Sequence, residues 1–251
     1  MATRFEINVD QSKLKYALIY KKLHTEEGFS IRPNVVVPSA STIKLFIMAK
    51  AFEMVQNGEL ELDRAFVITG QNAVEETLNR DQSYRLEELI NVMIVKSDNV
   101  ATNTLIDAIG MDSINAFIAE QGFSKTMLQR KMLDFGARAE GKENYTNASD
   151  LAQFLEGLYC GTIVSPALSC AMLEIMKRQQ EKSLMRHHLP SDLVVANKHG
   201  DLEGIKHDVG IVYTKKGDYL FVMLTWDGTD NKYQIDSVRK ASKEVYEYFM
   251  G

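Results

Sequence analysis

The chain has 251 residues, 45% hydrophobic and 25% charged, enough for one large globular unit or two interleaved subdomains with a sizeable core. A net charge of −5 with no long basic block argues against nucleic acid as a partner. No apolar run reaches the roughly 18 residues of a transmembrane helix, and residues 1–10 lack the basic-then-apolar pattern of a signal peptide. As written, the sequence reads as cytoplasmic or as a mature chain with a replaced start.

In chain order, residues 15–22 and 28–37 are predicted as two strands, the second ending in Val35-Val36-Val37 before Pro38. The period then changes: Ile43, Ile47, Ala51 and Val55 recur at helical spacing up to the stop signal Asn57-Gly58. Apolar faces predict helices over 84–97, 100–109, 112–120, 148–159 and 166–180, with Gly110, Gly122 and Gly161 at breaks. Residues 125–147 form a long polar connection, and loops of such length in a compact unit are commonly functional. Strands return at 192–198, 208–214 and 219–225, with Lys215-Lys216-Gly217-Asp218 as a hairpin turn, before a last helix over about 235–249. The expected fold is α/β in the α+β sense: a sheet from both chain ends (about 1–57 with 190–251), and an all-helical subdomain (about 58–189).

Cys160 and Cys170 lie in apolar helical surroundings and read as two buried free thiols. His187, His188, His199 and His207 have no Cys or carboxylate at ligand spacing, so no metal and no cofactor is expected.

Three short elements carry chemistry. In Ser41-Thr42-Ile43-Lys44 the lysine lies one helical turn below the serine hydroxyl, and the helix start offers free N–H groups to a developing oxyanion. An ammonium deprived of water loses its proton more readily and can then take that of the serine. The same spacing at Ser12–Lys15 and Ser237–Lys240 lacks the preceding strand and proline. Ser97-Asp98-Asn99 joins two apolar helices; it can present a proton-relaying hydroxyl and a carboxamide, or simply cap a helix. Lys198-His199-Gly200, on a predicted strand, can offer a cation to a carboxylate and a close backbone approach, or be a solvated strand end.

Each element is common alone. In this order the chain resembles the class A β-lactamases, within the penicillin-binding serine acyltransferases. The resemblance covers about residues 14–249 and includes Met93-Ile94-Val95-Lys96-Ser97-Asp98-Asn99-Val100-Ala101-Thr102-Asn103 and Asn144-Tyr145-Thr146-Asn147-Ala148-Ser149-Asp150-Leu151. It implies a serine hydrolase in which Ser41 is acylated by a β-lactam or peptidoglycan-like donor and Lys44 activates it. Ser97 relays a proton to the leaving nitrogen. Asn99, Lys198, His199 and Gly200 bind substrate, and the backbone N–H groups of Ser41 and Asp201 form the oxyanion hole. A monomer is expected.

Two departures stand out. Where the family's long loop carries the glutamate of Glu-x-x-Leu-Asn, which activates the deacylating water, this chain has Met132, and a thioether is no general base. Asp134 is the candidate replacement, with Glu140 and Glu143 further along; the alternative is that Asp134 is a structural loop residue. His199 stands where the family has Thr or Ser, and Asp201 adds a negative charge near the carboxylate subsite. These leave open a slow β-lactamase, a penicillin-binding D,D-peptidase or esterase, and a catalytically silent binding protein. The family's opening helix is expected to be shortened or missing.

Overall fold

The chain, as a computed structural model, describes residues 9–10, 12–68, 77–79, 81–180 and 184–251. The question of an opening helix falls on residues 1–8 and lies outside the described residues. In order, the elements are β1 (Lys15–Lys22), β2 (Gly28–Ile31), β3 (Val37–Pro38), a 3-10 turn (Ala40–Ile43), α1 (Lys44–Gln56), β4 (Ala65–Val67), β5 (Ser83–Arg85) and α2 (Leu86–Val95). There follow α3 (Asn99–Ile109), α4 (Met111–Glu120), α5 (Phe135–Ala139), β6 (Tyr145–Thr146), α6 (Ala148–Cys160) and α7 (Pro166–Lys177). The chain ends with β7 (Val195–Leu202), β8 (Ile205–Val212), β9 (Tyr219–Trp226) and α8 (Asn231–Met250).

Both ends of the chain build one five-stranded sheet in the order β2-β1-β9-β8-β7, antiparallel throughout. Its central strand β9 obeys the two-residue period of a pleated strand. Tyr219, Phe221 and Met223 join an apolar layer with Val238, Ala241 and Val245 of α8, while Leu220, Val222 and Leu224 join the layer shared with the other helices. Burial on both faces explains why β9 reads as a near-continuous apolar run. α1 buries every residue from Lys44 to Ala49, so it is the central helix of the molecule rather than a surface one. Its fully buried Lys44 is the exception that chemistry must explain.

The structure corrects the sequence reading at four places. The predicted strand 28–37 breaks after Ile31: Arg32 takes φ 50 and Pro33 has no N–H for the ladder, so β3 leaves the main sheet and pairs with β6 instead. The polar connection 125–147 contains α5 and β6. The hairpin of β4 and β5 goes unpredicted because each strand has three residues, too few to establish alternation. Cys160 and Cys170 are free, as expected, but exposed: Met172, Leu173 and Met176 take the inward face of α7 and leave Cys170 outside.

Candidate active site

The chain reaches Ser41 through a constrained strap. The Ser39 N–H donates to Asn144 O at 2.7 Å, and His207 Nε2 lies 2.9 Å from Pro38 O. Ala40 takes φ 47, a left-handed conformation that a non-glycine residue holds only when its surroundings impose it. Ser41 is the second residue of the 3-10 turn, which continues into α1 with Lys44 as its first residue. Ser41 and Lys44 are therefore on one face, as the spacing predicts, but across a tighter turn.

Lys44 Nζ donates to Ser97 O at 2.5 Å and to Asn99 Oδ1 at 2.9 Å, and lies 3.2 Å from Ser97 Oγ. The Ser97-Asp98-Asn99 junction between α2 and α3 is thus brought to the base of the Ser41 turn. The capping alternative for this tripeptide turns out to belong to its middle residue. Asp98 caps α3 by accepting from the Ala101 N–H at 2.8 Å, and its other oxygen accepts from the Thr77 N–H at 3.0 Å. Ser97 is released from that duty, and its φ of 59 turns it out of the helical path.

The third element arrives on the edge strand β7. Lys198, also fully buried, donates to Ser97 Oγ at 2.9 Å and to His199 O at 2.9 Å. One hydroxyl thus sits between two buried lysine side chains, within hydrogen-bond reach of both. A Cβ on Gly200 would lie 3.0 Å from Ala40 Cβ and 3.2 Å from Ser41 N, so glycine is what lets the strand edge approach the Ser41 turn. The extra negative charge of Asp201 is tied to Lys206 in an ion pair with a largely buried lysine, which offsets the repulsion of a substrate carboxylate expected from the sequence. His199 is held neutral, its pKa depressed to about 2 by burial and then by the cations of Lys198, Lys44 and Lys206. Its buried Nδ1 has no hydrogen-bond partner among the described residues.

Opposite β7 lies the long loop. Asp134 does not line the cleft: its exposed carboxylate caps α5, accepting from the Ala137 N–H at 2.9 Å. The alternative reading of Asp134, a structural loop residue, is the one its geometry fits. Glu140 is likewise exposed and paired with Lys142 at 3.3 Å. Glu143 does line the cleft, but Arg130 at 2.7 Å and Arg138 at 3.2 Å hold its carboxylate. Met132 and Leu133 present apolar groups on that side.

Together these form a cleft of about 220 Å³ lined by Ala40, Ser41, Ser97, Asn99, His199 and Asp201 on one side, and by Arg130, Met132, Leu133 and Glu143 on the other. The sequence reading missed Arg130 and Lys206, and weighed Glu143 only as a further carboxylate for the water, not as the partner of two arginines. The opposite charges near the two ends of the 125–147 connection were the available signal, since a long loop pinned at its base needs such a clasp. A larger cavity of about 840 Å³, bordered by Phe52, Tyr84, Ile90 and Arg178, contains none of these residues.

The profile of the Beta-lactamase enzyme family matches residues 2–249. The chain belongs to the β-lactamase enzyme family. Over 96% of its length it is 24% identical to β-lactamase BRO-1 of Moraxella catarrhalis, covering 86% of that protein. A solved β-lactamase of Sphaerobacter thermophilus shares its fold, with a TM-score of 0.86 at 24% identity over 94% of this chain and 92% of that one. The structure of PBP-A superposes with a TM-score of 0.85 at 26% identity, over 95% and 91% of the two chains.

Within this β-lactamase-family fold, the cleft gathers the three short motifs that the sequence singled out. A serine hydroxyl stands at a helix start, a buried lysine is one turn below it, and a second hydroxyl lies between two lysines. Among the described residues lining the loop side, the carboxylate present, Glu143, is committed to two arginines. No helix of the described residues is long and apolar enough to cross a membrane.

Proposed function

We propose that this member of the β-lactamase family is a serine acyl-transfer enzyme that opens β-lactam rings on Ser41 and releases the acyl group slowly. The observation that carries the reading is the convergence of Lys44 and Lys198 on the Ser97 hydroxyl beside the Ser41 turn. Lys44, held by Ser97 O and Asn99 Oδ1 and 3.2 Å from Ser97 Oγ, takes the Ser41 proton in its neutral-amine form. The freed alkoxide attacks the lactam carbonyl, and the N–H groups of Ser41 and Asp201 receive the oxyanion. The C–N bond breaks as Ser97 delivers a proton to the nitrogen, and Lys44 resupplies Ser97 with the one taken from Ser41. Asn99 holds the acyl side-chain amide, and Lys198 with His199 and Gly200 receives the substrate carboxylate.

Hydrolysis of the ester then needs a base for water, and the loop side offers Met132 and Leu133 instead. This supports a second reading, a penicillin-binding D,D-peptidase or esterase that forms the same acyl-enzyme. PBP-A, similar in fold, has been solved as an L158E mutant in an acyl-enzyme complex with penicillin G. Time-resolved intact-mass analysis with a penicillin separates the readings. A Ser41-dependent adduct that decays to free product supports the β-lactamase, a persistent adduct the peptidase or esterase. No adduct with penicillin, p-nitrophenyl esters or fluorophosphonates, in wild type and Ser41→Ala alike, identifies a silent binding protein.

A further inference from the structure

His207 plays no part in the reaction outlined above, yet it is fully buried in the sheet behind the nucleophile. It faces Gly200 across the β7–β8 ladder, and Gly200 is the residue whose missing side chain lets the strand meet Ser41. The imidazole makes two contacts. The Thr225 N–H of β9 donates to Nδ1 at 3.1 Å, and Nε2 lies 2.9 Å from Pro38 O. A backbone N–H only donates, so Nδ1 must be an acceptor; a neutral ring then carries its proton on Nε2 and donates it to Pro38 O. With both nitrogens engaged, the ring has no lone pair left for a metal, which removes His207 from the histidine set considered from sequence.

The β8–β9 ladder ends at Asp208 and Met223. Beyond it, Thr225 Oγ1 accepts from the Lys206 N–H at 2.8 Å and donates to Lys206 O at 2.9 Å, fixing β9 so that its next N–H meets the ring. The ring thus ties the middle of the sheet to the strap three residues before Ser41. The strap is also held by the pairing of Val37–Pro38 with β6 and by the Ser39 N–H to Asn144 O, and between these ties and Ser41 sits Ala40 in its left-handed conformation. Such a conformation persists only when neighbours over-determine it.

We propose that His207, as the neutral Nε2–H tautomer, is a positioning residue that holds Pro38–Ala40 in the strained path setting the Ser41 hydroxyl and N–H at the edge of β7. The proposal rests on Ser41 being the acylated nucleophile. Two substitutions divide the ring's functions: Gln keeps a donor near the Nε2 position, and Asn keeps an acceptor near the Nδ1 position. Penicillin acylation of the full chain, followed by intact mass, and thermal melting are measured together. His207→Asn should lower the limiting acylation rate about tenfold to a hundredfold with an unchanged half-saturating concentration, because small misplacements of reacting groups cost that much. His207→Gln, melting at a comparable temperature, should stay within about threefold of wild type, the Pro38 contact being retained. Equal acylation by the two variants, or losses that track melting temperature, overturns the proposal.

Should either variant fail to fold, nitrogen-15 NMR of wild type decides: an Nδ1–H tautomer or an imidazolium at pH 6 overturns it, and a neutral Nε2–H ring supports it. If wild type gives no Ser41-dependent adduct at all, the nucleophile assignment fails, and this role with it.

Discussion

Asn103 grips the backbone of Met132 with both ends of its carboxamide: the Met132 N–H donates to Oδ1 at 2.8 Å, and Nδ2 donates to Met132 O at 3.0 Å. The residue is 8% exposed, and its side chain lines the cleft beside Leu133. A fixed backbone here means that changing the side chain changes the chemistry offered to the cleft without moving the loop.

Met132→Glu should therefore shorten the lifetime of a penicillin adduct on Ser41. A positioned general base is worth about 10²–10⁴-fold, and an increase in deacylation toward the lower end is expected. An unchanged lifetime in intact-mass time courses would falsify the placement of Met132 opposite the ester.

Lys44→Ala should lower acylation about 10²–10⁴-fold by removing the base. It also strands Asn99 Oδ1 and Ser97 O in a buried site, at about 1–3 kcal/mol for each unsatisfied group. Stopped-flow acylation and melting should both fall. Acylation near the wild-type rate would show that another group takes the Ser41 proton.

Gly200→Ala brings a methyl to 3.0 Å from Ala40 Cβ and 3.2 Å from Ser41 N. Either the nucleophile turn or the edge strand must yield, costing about 1–3 kcal/mol of stability and about tenfold or more in acylation. Chromogenic cephalosporin turnover and melting at wild-type levels would contradict the tight approach.

Stability should fall with acid partly through His207, whose pKa burial depresses from 6.5 to about 4. Between those values the unfolded chain binds a proton that the folded chain refuses, so stability rises with pH across the window. The contribution is complete above pH 6.5 and is lost as pH falls toward 4. Asp208 works in the opposite sense, its pKa raised by burial from 3.8 to about 6, and favours the folded state at low pH. His207→Gln keeps Asp208 and His199, so its stability relative to its own pH 7 value should decline less between pH 6.5 and 4. Parallel denaturation curves for the two proteins across that range would refute this.

Arg130 and Glu143 clasp the two ends of the long loop from buried positions, with side chains 7% and 8% exposed. Arg130→Met leaves Glu143 with Arg138 and the Asn144 N–H, and breaking a buried pair costs about 3–5 kcal/mol. Arg130→Met with Glu143→Gln should recover part of that loss in urea unfolding. No recovery would show that arginine packing, not charge, holds the loop.

The sequence by itself determined the order of the main strands and helices, the sheet built from both ends, and the three short motifs around Ser41, Ser97 and Lys198. These are legible because period and turn chemistry act locally, and because motif spacing survives where most side chains do not. Ser41 stands out from the serines at 12 and 237 through its strand, proline and apolar helix, all neighbours in sequence. What only the tertiary structure decided depends on contacts between distant residues. Asp98 rather than Ser97 caps α3, and Lys206 neutralises Asp201. Asp134 spends its carboxylate on a short helix, while Glu143 is held by arginines five and thirteen positions before it. His207 meets Pro38 across 169 positions. Burial and pairing fix which titratable groups are free to react, and neither can be computed from spacing along the chain.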